Sequence, residues 1–230
     1  LGNRLYLKVS KRVKYICISI CMLSVFSLTV QSSIINICKE NDADLVVMGT
    51  QGGDSKNDLF MGTNTYRTLT KSDVPILTIR TAPVQKGYEN IILPIDLSEH
   101  TRQKVNVAIQ LAKLFGGQLN VIALYNESEK TDKFKLEVFI KQIEKECEKR
   151  KVIVTSEISK TDDKVKKTLQ FAKKVGAEII VSMTDQDSEF QFGILNSFIH
   201  ELINNSKIPV LCIKPELSEL DESGTPGVPF

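Results

Sequence analysis

The sequence is poor in the residues that build metal centres and catalytic triads. It contains two histidines, His100 and His200, and its five cysteines form no CxxC pair and have no histidine nearby. Zinc sites and histidine-based triads require several such side chains within reach of one another. We therefore expect no metal site and no histidine-dependent triad. His100 is expected at the surface near a helix start, and His200 in semi-buried packing.

The cysteines are typical of a reducing compartment. Cys17, Cys21, Cys38, Cys147 and Cys212 are odd in number, and each lies among apolar or helical neighbours. Buried, reduced thiols explain this pattern better than disulfides do. The cysteines therefore predict a cytoplasmic protein.

The chain also lacks a charge excess of either sign. Its formal net charge is +2, with 42% hydrophobic and 25% charged residues, which is ordinary for a globular protein. The lysines of residues 141–151 alternate with glutamates, as on a solvated helix face. We therefore expect neither a nucleic acid nor a membrane as partner.

One segment, residues 8–30, begins like a signal peptide, with a basic stretch before an apolar run. The run is short for a transmembrane helix and contains hydroxyl side chains. The internal repeat described next favours a basic helix followed by a strand at 16–21 instead. It does not explain why residues 24–30 are so apolar.

Residues 43–79 match residues 177–213 at a constant offset of 134 residues without a gap. The apolar runs coincide at both ends, and five polar, small or proline positions also correspond. These pairs are Ala43 with Ala177, Thr50 with Thr184, Thr63 with Ser197, Ser72 with Ser206, and Pro75 with Pro209. The chain is therefore interpreted as a duplication.

The second copy shows five apolar strands alternating with helices of regular apolar spacing. The strands are predicted at 88–96, 118–125, 151–158, 177–183 and 208–213, with a cap at Ser98 and helix ends at Gly116-Gly117 and Gly176. This alternation predicts an α/β fold with a parallel sheet covered by helices on both faces.

The first copy is incomplete, since the offset places residue 1 inside the second helix of the repeat. We predict a truncated domain at 1–80, a linker at 81–87, a complete domain at 88–214 and a disordered tail at 215–230. The truncated domain is expected to pack on the second domain or on a partner chain, unless the chain is a fragment of a longer one.

A glycine-rich loop follows the apolar strand of the first copy. Gly49, Gly52 and Gly62 with Thr63 show the spacing G-x2-G-x9-G-[ST] between that strand and the next helix. Glycine lets the backbone approach a phosphate closely, and a helix start offers free N–H groups to an anion. The loop is therefore a candidate phosphate site.

These features resemble the universal stress protein family in its tandem two-domain form. The resemblance is carried by "VVMGTQGG" (46–53), "MGTNT" (61–65), "VPILTI" (74–79) and the strand and helix of 90–113. It implies an open five-stranded parallel sheet in the order 3-2-1-4-5, here duplicated, with ATP or AMP binding in some members. It also implies dimerisation through the last strand, so we expect a homodimer or an intramolecular pair of the two domains.

Carried onto this sequence, the resemblance implies a nucleotide site. Phosphates and ribose would be held by Gly49, Gly52, Gly62 and Thr63, with Asn64 beside them, and Asp96 would lie near the adenosine. In the second copy the glycine positions are Met183, Gln186 and Asn196. Each copy thus carries half of a site, and a composite site between the two domains is a less favoured alternative.

Three functions follow from these residues. The leading hypothesis is a non-enzymatic stress-response protein that binds, or once bound, an adenine nucleotide. The alternative is a ligand-free dimerisation module of the same fold. A weak ATPase is third, because Asp54 and Asp58 are the only loop candidates for a metal and no P-loop lysine follows the glycines. No catalytic residue is predicted.

Overall fold

The computed structural model describes residues 30–50, 61–80, 87–97, 101–126, 130–184 and 197–215. Within these ranges strands and helices alternate, which confirms the α/β class. The helices are α1 Val30–Glu40, α2 Thr63–Lys71, α3 Thr101–Phe115, α4 Lys130–Arg150, α5 Lys164–Lys174 and α6 Ser197–Asn205. The strands are β1 Val46–Gly49, β2 Ile76–Ile79, β3 Asn90–Ile95, β4 Gln118–Tyr125, β5 Ile153–Lys160, β6 Ile179–Met183 and β7 Val210–Ile213.

These strands form one sheet in the order β1-β2-β7-β6-β3-β4-β5. Every neighbouring pair is parallel except β2 and β7, which are antiparallel with Leu77 opposite Leu211. Counted from β3, the last five strands show the expected 3-2-1-4-5 order. The last strands of the two copies, β2 and β7, pair within one chain, which is the intramolecular form of the expected pairing.

The structure repeats with the offset found in the sequence. Helix α1 and helix α5 begin and end 134 residues apart, and so do α2 and α6, and β2 and β7. We call residues 30–80 the first half of the molecule and residues 87–215 the second half. The division into two domains stays a prediction.

Strand β3, which lies between β6 and β4, is buried on both faces, as its continuous apolar run predicts. Ile91 and Leu93 belong to a core cluster formed with α3 and α4. Ile92, between them, belongs to a second cluster with residues of α2, α5 and α6. Helices therefore cover both faces of the sheet.

Glycines end two of the helices where the sequence predicts. Gly116 after α3 and Gly176 after α5 both have φ of +63°, a left-handed conformation that side chains disfavour. A Cβ on Gly117 would lie 2.3 Å from the carbonyl oxygen of Glu89. The glycine pair thus both stops α3 and allows the chain to pass close to the start of β3.

Several predictions fall on residues that are not described. These are the helix and strand before α1, the Ser98 cap, most of the 81–87 linker and nearly all of the tail. In the described ranges, no helix combines the length and the apolar character needed to cross a membrane. Cys38, Cys147 and Cys212 are buried free thiols, as expected, and burial raises the pKa of Cys147 to about 11.

Candidate functional site

The first candidate site lies where β1 ends and α2 begins. Gly49 is the last residue of β1, and Gly62 immediately precedes α2. The amide of Gly62 donates to the carbonyl of Thr50 at 2.7 Å, and the hydroxyl of Thr65 donates to the carbonyl of Gly49 at 2.9 Å. The structure therefore brings these two predicted glycines together. Gly52 lies outside the described residues.

Helix α2 begins without a side-chain cap, because its N-cap residue is Gly62. The amide of Tyr66 donates to the carbonyl of Gly62 at 3.0 Å. The preceding N–H groups, of Thr63, Asn64 and Thr65, have no acceptor inside the helix. Thr63 and Asn64 are exposed, and the first turn carries no acidic residue. This helix end therefore suits an anion such as a phosphate group.

Thr50 adds a polar group that the sequence reasoning did not assign to the site. It follows Gly49, is 4% exposed, and its hydroxyl has no hydrogen-bond partner among the described residues. Buried hydroxyls are normally hydrogen-bonded. The group is therefore suited to a ligand that reaches the end of β1. The only signal in the sequence was the match of Thr50 with Thr184.

The second candidate site lies at the carboxyl end of β3. Asp96 follows that strand, and its Oδ1 accepts a hydrogen bond from the hydroxyl of Thr101 at 2.9 Å. The Nζ of Lys164 lies 3.5 Å from the Oδ2 of Asp96, whose side chain is 15% exposed. The predicted adenosine-binding carboxylate is thus already engaged by a hydroxyl and an ammonium of the protein.

Lys104 is a buried charge next to this region that the sequence reasoning missed. It is fully buried on α3, and its Nζ has no hydrogen-bond partner in the described part of the chain. Burial lowers the pKa of Lys104 to about 8; Asp96 opposes this shift and Lys164 adds to it. The sequence feature that could have indicated this burial is the position of Lys104 four residues before Ala108, on the apolar face of α3.

The two candidate sites lie at opposite ends of the sheet. Because β2 and β7 are antiparallel, the carboxyl ends of β1 and β2 lie with the amino ends of the other five strands. Gly49 and Gly62 are therefore at one end, and Asp96 is at the other. The hypothesis of a composite site between the two copies is therefore wrong. The approximate two-fold relation of the halves places the glycines at one end of the sheet and Asp96 at the other.

In the second copy, the counterpart of Gly49 is Met183, the last residue of β6. Its side chain is fully buried in the core cluster that also contains Ile95 and Ile213. Gln186 and Asn196 lie outside the described residues. The second copy thus uses a core-filling side chain where the first has a glycine.

Nothing described resembles a metal centre: the described residues hold no group of three or more His, Cys, Asp or Glu suited to a metal ion. Asp54, Asp58 and His100 are not among them. His200 is half-buried on α6, edge-on to Tyr66 with ring centroids 6.0 Å apart. This agrees with the packing role expected for His200.

A family model described as the universal stress protein family matches residues 20–80 and 87–214 of the chain. No curated protein sequence matches the chain significantly. Solved structures are similar in fold. A universal stress protein from Archaeoglobus fulgidus DSM 4304 superposes with a TM-score of 0.64 at 21% identity, covering 80% of this chain and 66% of that one.

Two further structures support the fold. A Pseudomonas aeruginosa protein described as a universal stress protein gives a TM-score of 0.65 at 16% identity, covering 81% of this chain and 69% of that one. A Lactobacillus plantarum universal stress protein gives 0.51 at 14% identity, covering 56% of this chain and 99% of that one. At such identities these similarities show the fold alone.

Proposed function

Because this chain belongs to the universal stress protein family, we propose that it binds an adenine nucleotide, ATP or AMP, at the start of α2. Its role would be a stress response rather than dedicated catalysis. The observation that carries the proposal is the meeting of Gly49 and Gly62 at an uncapped helix N-terminus.

The phosphates would lie against the free N–H groups of the first turn of α2. Thr63 and Asn64 are exposed there and add a hydroxyl and an amide, while Gly49 and Gly62 leave room for the phosphate beside the backbone. Gly52 is proposed for the same role from its spacing. Binding needs no metal ion in this arrangement, because backbone donors and the helix dipole supply the positive field.

Asp96 is not part of this site, because it lies at the opposite end of the sheet. A nucleotide that used Asp96 would have to bind at the carboxyl end of β3. There it would compete with the ammonium of Lys164, 3.5 Å from the carboxylate. We therefore propose one nucleotide site in this chain, in the first half.

Isothermal titration with ATP and with AMP tests the proposal, using Gly62→Val as the variant. The backbone of Gly62, with φ of −61° and ψ of 145°, accepts a β-branched residue, so the fold is expected to persist. The added side chain would stand in the phosphate path, and we expect affinity to fall at least about tenfold, which corresponds to ~1.4 kcal/mol.

Gly87→Val is the matched control, because among the described residues a Cβ there meets nothing nearer than the Cγ of Glu89, at 4.0 Å. We expect it to bind like the wild type. Saturable binding that Gly62→Val leaves unchanged would overturn the loop assignment. Absence of binding by the wild type would overturn the nucleotide proposal itself.

A ligand-free structural module is the second candidate, favoured by the β2–β7 pairing. That pairing uses the edges that a dimer through the last strands would need, so we propose a chain that completes this interface internally. Light scattering over a range of concentrations tests this. A dimer that dissociates only when Leu211 is substituted would contradict an interface completed within one chain.

Steady ATP turnover would contradict the non-catalytic role proposed for the chain.

A further inference from the structure

We propose that the second half of the molecule positions the anion-binding end of α2 through Asn204, so that ligand binding and packing of the two halves stabilise each other. The inference rests on the proposed function and adds a positioning residue and a means of regulation. Asn204 lies in the last turn of α6 and belongs to the opposite copy of the repeat from the loop it contacts.

The decisive contact is a hydrogen bond between the halves. The backbone amide of Met61 donates to the Oδ1 of Asn204 at 2.6 Å. Met61 is 8% exposed and stands next to Gly62, whose amide is bound to the carbonyl of Thr50. The amides of Met61 and Gly62 are therefore both bonded, and the donors that lack an acceptor inside α2 begin at Thr63. Asn204 thus helps to set where those donors point.

Asn204 is itself held in place by both halves. The guanidinium of Arg80, which directly follows β2, donates to the backbone carbonyl of Asn204. A cation is favourable there, because the last carbonyls of a helix lack helical partners. The Nδ2 of Asn204 lies 3.4 Å from the Nδ1 of His200, and His200 packs edge-on against Tyr66. Asn204 is thus linked to the segment before Gly62 through Met61, and to α2 after Gly62 through His200 and Tyr66.

The two copies use the equivalent of Asn204 differently. Under the repeat, the counterpart of Asn204 is Thr70 on α2. The hydroxyl of Thr70 donates to the carbonyl of Arg67 at 3.0 Å, within its own helix. Thr70 therefore bonds within its own helix, whereas Asn204 bonds to the other copy. The copy that has replaced its glycines supports the loop of the copy that keeps them.

A consequence follows from linkage. If the anchored form of Met61 and Gly62 is the one that binds the anion, any change that releases Met61 lowers affinity without removing a group that touches the ligand. By reciprocity, the ligand stabilises the contact between the halves by the same factor. The second half would then regulate binding through its contact with α2.

The test compares Asn204→Leu with the matched control Asn205→Leu by ATP titration of the full chain. Leucine keeps the size of Asn204 but cannot accept from Met61, so we expect ATP affinity to fall about tenfold. Asn205 is exposed, and in the described part of the chain its side chain donates to the carbonyl of Glu201, at 2.8 Å. Its substitution is expected to leave affinity unchanged.

Two more variants separate positioning from a general loss of stability. Asn204→Ala removes the same acceptor with less bulk and is expected to weaken binding equally. Asn204→Asp keeps an acceptor for Met61 but adds a negative charge beside the proposed anion site, so it is compared with Asn204→Leu by hydrogen exchange and not by ATP affinity. Hydrogen exchange of the Met61 amide, measured without ligand, should be fast in the Leu and Ala variants and slow in the Asp variant.

The outcomes distinguish this inference from the function on which it rests. If the wild type binds ATP and both Asn204→Leu and Asn204→Ala bind it equally well, only the positioning role is overturned. Equally slow exchange of the Met61 amide in the wild type and in the Leu and Ala variants also overturns it, because the acceptor of Asn204 would then not hold that amide. If the wild type binds no ATP, the proposed function fails and this inference falls with it.

Discussion

Strands β1 and β6 occupy the same place in the two copies, yet their surroundings differ. Val181 in β6 is fully buried, whereas its counterpart Val47 in β1 is 58% exposed. The cause is position in the sheet: β6 lies between β3 and β7, while β1 has only β2 beside it among the described strands. Similar apolar sequences thus give a core strand in one half and a half-covered strand in the other.

The less buried half is the one that has the features of an anion site. The first half, which contributes fewer of the described buried residues, keeps the glycines in its sequence and has an uncapped helix start. The second half, with the larger core, has Met183 buried where a glycine stood, and pairs Asp96 with Lys164. The larger core and the proposed anion site therefore lie in different copies, a division that substitutions in each half can test.

The largest expected difference concerns Lys104, which has no counterpart in the first half of this chain. We expect Lys104→Met to raise the free energy of unfolding at pH 7, by up to about 3 kcal/mol, because it replaces a buried, unpaired ammonium by an apolar side chain of similar length. Urea unfolding at fixed pH measures this.

The pH dependence has a definite sign. The pKa of Lys104 is about 8 in the folded protein against 10.5 for an ordinary lysine, so the unfolded chain binds more protons between these values. Wild-type stability should therefore rise, relative to the variant, as pH increases from 8 towards 10.5, by about 3 kcal/mol at most. A constant difference across this range would contradict the buried charge.

A smaller difference is expected between equivalent valines. Val181→Ala should lower the free energy of unfolding by about 2 kcal/mol, since it removes buried methyl groups and leaves a cavity. Val47→Ala should change it by less than ~0.5 kcal/mol, because the side chain is exposed. Equal effects in denaturant unfolding would show that β1 is covered in solution and would remove the contrast between the strands.

The smallest effect is expected at an exposed ion pair that joins the halves. The Nζ of Lys214 lies 2.9 Å from the Oδ1 of Asp73. Exposed pairs contribute about 0–1 kcal/mol and are screened by salt, so Lys214→Ala should lower the melting temperature only slightly. A double-mutant cycle with Asp73→Ala that gives a coupling above ~1 kcal/mol would show a stronger junction than proposed.

Much of the fold could be predicted from local patterns. The apolar run of 118–125 matches β4 at both ends, and the glycines at 116 and 176 end helices as expected. The candidate site could be predicted only in part. Gly49, Gly62 and the helix start meet as the spacing suggests, but no periodicity indicates that the Thr50 hydroxyl is buried without a partner or that Asn204 bonds to Met61.

The elements, the repeat and the glycine loop could be predicted from the amino-acid order, because periodicity of apolar residues and the backbone freedom of glycine act over a few neighbouring residues. The contact between the two copies, in contrast, depends on how the whole chain folds. The antiparallel pairing of β2 and β7 places Gly62 and Asp96 at opposite ends of one sheet and brings Asn204 to Met61. That pairing joins strands far apart in the chain, and such contacts leave no local pattern.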